Sequence, residues 1–374
     1  MRVRKIINKL HLIVGLGSGV VVVIVALTGC VWAFEEEIRY FTQREQLFVT
    51  VQSAPRIPVS QVMDAVKTGV PSVKISQIRL FGEPTRAVQV FTSDKRMLTV
   101  NPYTGQLLAS RDQESDWLLI NLKLHRTLLL GEVGKKIIYW NAWLFLLMLV
   151  SGFVLWLPVR WRQWRSALTV KWQGKPGIAT ANRPGRAKRT YDLHSVLGFY
   201  ALPFLLLIVA TGIDMASHGE KKKEKPVVYQ KLESGLMLDR AVSSAIGAAA
   251  FETVRVNLPK DSLNPLRVVL TYPTSGLRKE STFTFDPATA QLLDAKRHDR
   301  MTFSQRFWKS DYELHTGRIL GLFGKCLAFL VGLVAAGLPV TGFLIWWGKR
   351  KKRAKRLTHS HSSGQSTLPQ HSLL

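Results

Sequence analysis

Four long apolar runs constrain this 374-residue chain more than anything else in it: Leu12 to Phe34, Ile137 to Leu157, Leu197 to Ile213 and Ile319 to Trp347. Three exceed the roughly 18 residues that cross hydrocarbon as a helix, and the shorter third gains length from its polar-edged flanks. Apolar residues gathered this way, rather than spread at amphipathic spacing, describe an α-helical membrane protein with four transmembrane helices. Its first partner is the lipid bilayer.

Charge then sets the orientation. Residues 1–10 hold four Lys or Arg, residues 158–190 hold nine and residues 348–356 hold seven, with no Asp or Glu in any of the three. Four spans put these segments on one side, and a Lys and Arg excess marks that side as cytoplasmic. Both termini are then cytoplasmic, and the connections at about 35–125 and 214–315 are periplasmic. The net charge of +27 is topological, so no nucleic-acid partner is expected.

The chain is also written twice. LHRTLLLGEVGK (Leu124 to Lys135) returns as LHTGRILGLFGK (Leu314 to Lys325), and Leu10-His11 with Gly15 returns as Leu193-His194 with Gly198. NPYTGQLL (Asn101 to Leu108) is echoed by DPATAQLL (Asp286 to Leu293), so three offsets of 183, 185 and 190 residues define a unit of about 185. His125 and His315 each stand 26 residues before a hydroxyl-Gly pair, Ser151-Gly152 and Thr341-Gly342. His11 and His194 each stand 17 before another, Thr28-Gly29 and Thr211-Gly212.

Between the spans lie two small α+β modules. In the first, a helix at Val59 to Val70 is followed by strands at Ile75 to Phe81, Ala87 to Thr92 and Met97 to Asn101. The second repeats the plan, with a helix at Leu238 to Ala250 and strands near Thr253 to Leu258, Leu266 to Tyr272 and Ser281 to Phe285. Residues 112–130 and 304–317 mix Trp117, Phe307, Trp308 and Tyr312 with charges, as a helix on the outer membrane surface does. In the second half, Ile319 onward is apolar enough to continue straight into the span. Glu35, Glu36 and Glu37 read as a solvated helix end rather than a metal-attracting rim.

Leu27-Thr28-Gly29-Cys30 has the look of a lipoprotein signal, but the Thr-Gly recurs in the third span with no Cys after it, so the repeat accounts for it. Cys30 and Cys326 are the two cysteines, which excludes a disulfide framework and any Cys-based zinc or iron-sulfur site.

A single His at a helix end is usually only interfacial. Four of them, one per span and matched in pairs, point further: His11 and His194 open spans on the cytoplasmic face, His125 and His315 on the periplasmic face. Two imidazoles from facing helices fill both axial positions of a haem b, and one pair per face gives two haem b in all. No C-x-x-C-H is present for c-type attachment. Gly15, Gly198, Gly317 and Gly321 let a flat macrocycle approach the backbone. Arg126 and Arg318 stand ready for propionates outside, with Lys5, Lys188 and Arg189 inside. Asp214, with His218 four residues on, is a candidate substrate or proton site near the outer haem. His298, His359, His361 and His371 read as surface residues.

With LH heading each span, TG near the end of the first, third and fourth, GFVLWLP and GFLIWWG closing the second and fourth, and NPYTGQLL between, the chain resembles the PepSY-associated transmembrane family. Ser151 in place of Thr and Ala290 in place of Gly105 are the departures from its own pattern. The resemblance implies an inner-membrane, iron-regulated protein of Gram-negative bacteria, similar to di-haem reductases of ferric siderophores, hydroxamate (ferrioxamine) type favoured. The implied haem ligands are His11, His125, His194 and His315. It also divides the chain into a first span (1–34), a periplasmic PepSY-like module (35–113), an interfacial helix with the second span (114–158) and a basic cytoplasmic loop (159–192). The third span (193–215), a second periplasmic PepSY-like module (216–303), an interfacial helix with the fourth span (304–348) and a disordered basic tail (349–374) follow.

The activity so implied is haem-dependent reduction of ferric siderophore in the periplasm, releasing Fe(II). With no G-x-G-x-x-G or flavin segment in the chain, electrons come from quinol or a separate cytoplasmic reductase. On the residues alone two rivals stay open: a haemless PepSY membrane scaffold that binds peptides or regulates a protease, and a siderophore or iron transporter component.

Overall fold

The computed structural model describes residues 2–170, 186–217, 235–259 and 264–363. Along the chain run α1 (Arg2–Ala33), α2 (Glu35–Thr42), α3 (Arg44–Leu47), α4 (Val59–Gly69), β1 (Ile75–Phe81), β2 (Val88–Thr92), β3 (Arg96–Val100), β4 (Leu107–Asp112), α5 (Trp117–Thr127) and α6 (Gly131–Trp156). After a 3-10 turn at Trp161–Gln163 come α7 (Trp164–Ala167), α8 (Arg186–Ser217), α9 (Gly235–Ile246), β5 (Thr253–Asn257), β6 (Leu266–Tyr272), β7 (Lys279–Phe285) and β8 (Leu292–Lys296). A 3-10 turn at His298–Arg300, α10 (Phe303–Lys309), α11 (Asp311–Thr316), a third such turn at Arg318–Leu320 and α12 (Gly321–Ser363) complete the order. Two compact units result: Met1–Cys30 with Leu124–Ile213 and Leu327–Leu374, and Val31–Lys123 with Asp214–Cys326.

In the first unit α1, α6, α8 and α12 are long and apolar enough to cross a membrane. Leu149, Ala201, Leu205, Val209, Val331 and Ala335 pack between them. Ile13, Val20, Trp140, Leu147 and Leu330 are exposed, as suits helices solvated by lipid tails. Small residues permit close approach: a Cβ on Gly332 would lie 2.6 Å from Cys30 Sγ. The thiol is buried there and donates to the Phe329 carbonyl at 3.4 Å, and α1 passes through Cys30 unbroken. At the other end of α6 the Trp156 ring stacks on Phe199 of α8 at 3.7 Å. One expectation needs correction: residues 349–363 are not a disordered tail but extend α12 to Ser363. They contain no Gly or Pro to stop it, and Lys and Arg propagate helix well. Residues 364–374, and most of the basic loop at 171–185, lie outside the described residues.

In the second unit the two α+β halves join edge to edge. Its strands form one antiparallel sheet in the order β4-β3-β2-β1-β5-β6-β7-β8, closed at the centre by β1 and β5, with Ile78 opposite Val256 and Leu80 opposite Val254. Each half alone would expose one of these as a bare edge, and pairing the two removes it. Val62 and Val66 of α4 and Leu238 and Ala241 of α9 cover one face, over Ile78, Val90, Leu98, Val256, Val268 and Leu270. The two helices are pinned together where Ser60 N donates to Asp239 Oδ1 at 2.9 Å. α9 ends at Ile246, short of the expected Ala250, because Gly247 turns left-handed at φ 54°.

Strands β4 and β8, absent from the sequence expectation, follow matched turns. Asn101 Oδ1 accepts from Tyr103 N at 2.9 Å, and Asp286 Oδ1 accepts from Ala288 N at 2.9 Å. The fifth residue of each turn is left-handed: Gly105 at φ 73° and Ala290 at φ 56°. The second correction concerns residues 317–325, where the chain does not run straight. Gly317 is left-handed at φ 77°, and a Cβ on it would sit 2.1 Å from the Gly324 carbonyl oxygen. That break ends α11 and restarts the helix at Gly321, much as Leu128, Leu129 and Gly131 separate α5 from α6 in the first half.

The sheet face opposite α4 and α9 carries charge. Arg255 bonds Glu280 at 2.6 Å, Glu280 also takes Arg278 at 2.7 Å, and Arg278 reaches Glu313 at 3.0 Å. The three glutamates after the first span are ion-paired rather than bare: Glu35 with Arg39, Glu36 with Arg318 and Lys325, Glu37 with Lys325. Burial pushes the Glu36 carboxyl upward, but Arg318 and then Lys325 outweigh it and hold the group below the ordinary range. At Glu252 burial outweighs the nearby Arg318 and Arg278 charges and pushes the carboxyl up.

Candidate functional site

His11 of α1 and His194 of α8 face each other in the helical unit, their ring centroids 6.4 Å apart and planes at 87°. Two imidazoles bound through nitrogen to opposite faces of one first-row metal, at about 2.0 Å each, would place their centroids roughly 6.3 Å apart. The cavity around them is lined by Gly15, Gly152, Gly198 and Gly342 with Leu12, Phe153, Phe199 and Trp346. Glycine backbone and apolar rings suit a flat hydrophobic group, and the cavity's other polar lining includes Asn8, Tyr191 and Lys349. The residues present suit a haem: two facing imidazoles, a largely apolar lining of glycine and aromatic residues, and a Lys among the polar ones.

The second nitrogen of each ring is committed. His11 Nδ1 lies 2.8 Å from Ser151 Oγ of α6, and His194 Nδ1 lies 2.9 Å from Thr341 Oγ1 of α12. Each hydroxyl gives its one proton to its own helix, Ser151 to the Met148 carbonyl at 3.1 Å and Thr341 to that of Gly337 at 2.9 Å. The hydroxyl oxygen is therefore left to accept, and Nδ1 of each imidazole donates. That tautomer leaves the lone pair on Nε2, the nitrogen with no hydroxyl beside it, free for a metal.

His125, at the end of α5, repeats the arrangement with α1. Its Nδ1 lies 3.2 Å from Thr28 Oγ1 and 2.9 Å from the Val25 carbonyl oxygen. A carbonyl can only accept, so Nδ1 again carries the proton. The helices thus exchange partners: α1 sends His11 to Ser151 and receives His125 at Thr28. Seventeen residues of α1 separate the two levels, about 25 Å of rise. Each hydroxyl is followed by glycine, and that glycine backs the ring: an added Cβ would approach Cε1 of His125 to 3.0 Å at Gly29, of His11 to 3.3 Å at Gly152, and of His194 to 3.5 Å at Gly342.

His315 belongs to the sheet-bearing unit, half-buried in α11. Arg126 is exposed at the end of α5. Arg318 is engaged with Glu36, lies over the Tyr312 ring at 5.5 Å and reaches its hydroxyl at 3.4 Å. Gly317 and Gly321, expected to give a macrocycle room, both have positive φ and form the backbone break before α12. Asp214 is half-buried near the end of α8, and His218 lies outside the described residues, so the pair is not brought together here. His298 is not a plain surface residue: it packs on Tyr272 at 4.5 Å and bonds Ser281 at 3.1 Å.

Sequence reasoning noted the hydroxyl-Gly pairs without giving them a role. The fixed spacings were the signal, but they tie each pair to a His on its own span, whereas the contact is with a neighbouring helix. Asn8, Tyr191 and Lys349 carried no such signal.

The sequence profile of the PepSY-associated TM region matches residues 8–349, taking in all four spans and both halves of the sheet. The chain belongs to the PepSY-associated transmembrane family. As a member of that family with four apolar helices it is a multi-pass membrane protein. No curated protein matches it.

Proposed function

We propose that this protein is a di-haem b electron-transfer protein of the bacterial inner membrane that reduces ferric siderophore in the periplasm and releases iron as Fe(II). The observation that carries the reading is the opposed pair His11 and His194, each with Nδ1 tied to a hydroxyl and Nε2 left as a ligand. His11 and His194 would hold haem b, which when bound would supply one-electron exchange between ferric and ferrous iron. The chain's own residues orient that group through the two rings, admit it along Gly15 and Gly198, and keep water out with Leu12, Phe153 and Phe199. On this reading the chain is an internal duplication, and His125 with His315 is the second ligand pair by the 190-residue offset. His125 presents its Nδ1 as His11 and His194 do.

The positive-inside bias supports cytoplasmic termini and a periplasmic sheet unit. There Arg126 serves a propionate and Arg318 divides its charge with Glu36, while Asp214 and His218 serve substrate or proton. Hydroxamate oxygens hold Fe(III) far more tightly than Fe(II), so one electron added to the chelated iron loosens it with no covalent bond broken in the ligand. Lacking any dinucleotide segment, the chain draws electrons from quinol or a separate cytoplasmic reductase.

An absorption spectrum and a pyridine haemochrome of the purified protein test this directly, with two haem b per chain expected. His125→Ala or His315→Ala removes one of them together with reoxidation of the dithionite-reduced protein by a ferric hydroxamate. A colourless preparation from haem-replete cells would sink the reading and favour the scaffold.

A further inference from the structure

Ser151, Thr341 and Thr28 occupy corresponding places: a hydroxyl whose proton is spent on its own helix carbonyl, whose oxygen accepts from a ligand imidazole, and whose following glycine backs that ring. We propose that these three hydroxyls are positioning residues that set the reduction potential of the iron bound at each level, an inference that rests on the haem reading above. An acceptor on Nδ1–H gives the imidazole partial imidazolate character and makes Nε2 a stronger donor. A stronger donor stabilises Fe(III) over Fe(II) and lowers the potential. Packing alone does not ask for an oxygen here, since Val is isosteric with Thr and fills the same space between helices.

The three sites are not built alike. At the His11 and His194 level Nδ1 lies 2.8 Å from Ser151 Oγ and 2.9 Å from Thr341 Oγ1, and His194 also hydrogen-bonds the Leu338 carbonyl. His125 has both Thr28 at 3.2 Å and the Val25 carbonyl at 2.9 Å. Removing the hydroxyl therefore leaves His11 without that acceptor, but leaves His194 its Leu338 carbonyl and His125 its shorter bond to the Val25 carbonyl, which no side-chain change can take away.

The experiment is a spectroelectrochemical redox titration of detergent-purified Ser151→Ala, Thr341→Val and Thr28→Val, with haem content measured on each by pyridine haemochrome. Ser151→Ala shifts the potential of one haem upward the most, Thr341→Val shifts the same haem upward by less, the Ser151→Ala, Thr341→Val double variant shifts it further than either, and Thr28→Val shifts the other haem by less than Ser151→Ala does. The conservative exchanges Ser151→Thr and Thr341→Ser restore the wild-type value. Full haem content with unmoved potentials in all three variants overturns the proposal while leaving the haem reading intact. Loss of haem from the hydroxyl-free variants, with retention in the conservative ones, assigns the hydroxyls to holding the group rather than tuning it and likewise overturns it. Absence of haem from the wild-type protein is a failure of the functional reading itself, seen before any titration begins.

Discussion

The helical unit and the sheet unit hold together by different means. In the sheet unit Val62, Ile78, Leu98, Val256 and Leu270 are wholly removed from water, and the arrangement follows from that burial. In the helical unit the outward side chains meet lipid, which is as apolar as the interior, so burial gives no strong preference for one helix register over another. Register there rests on polar and small residues: Arg4 reaching the Leu155 and Leu157 carbonyls, His11 on Ser151, His194 on Thr341, and glycine where a ring or thiol must come close. The lesson is that in the membrane the residues that fix the fold are also those that prepare the site, while in the sheet unit they are separable.

The comparison can be broken from either side. On the proposed di-haem reading the largest effect is expected from His11→Ala or His194→Ala, which should remove one haem while leaving thermal unfolding of the sheet unit unchanged; a sheet unit that melts early in these variants would show that the two are not separable. Ile78→Ala should cost the sheet unit about 2–5 kcal/mol, as wholly buried large-to-small changes do, with the visible spectrum retained. Circular dichroism in denaturant, read beside the Soret band, checks both halves of that statement.

A pH experiment sharpens the sheet side. Asp116 caps α5 by accepting from Leu118 N at 3.0 Å and pairs with Arg39 at 2.8 Å. Burial pushes its carboxyl up, but the Arg39 hydrogen bond and charge and the backbone donors outweigh that and hold it below the ordinary range. A depressed acid stabilises the fold above its unfolded-state value and loses that contribution as pH falls through the folded one. Stability should therefore decline below about pH 4, and Asp116→Asn should flatten that decline; an unchanged acid limb in the variant would remove Asp116 as its source. The smallest effect lies at the matched turns. Ala290→Gly should raise the stability of the sheet unit by up to about 1 kcal/mol by relieving a left-handed alanine, and Gly105→Ala should lower it by about the same. Equal melting of the two would mean that the left-handed strain is absorbed elsewhere in the turn.

Much of this was legible in the chain. The spans follow from hydrophobic runs, most strands and both sheet helices from local periodicity, and the turn before β4 from Asn101 and Gly105. The misses share a cause. β4 and β8 are edge strands with no buried residue and no clean alternation, α12 extends because nothing stops it, and Gly317 looks like any glycine until the Gly324 carbonyl is seen beside it.

By itself the sequence determined that four helices cross a bilayer, that two halves share one plan, and that each half carries a histidine at each end, because these are properties of composition and spacing along one strand of chain. Only the tertiary structure decided that β1 and β5 join the halves into a single sheet, and that Ser151, Thr341 and Thr28 fix the tautomers of histidines on other helices. Those are contacts between segments up to 147 and 180 residues apart, and no local pattern encodes which distant partner a helix or an edge strand will meet.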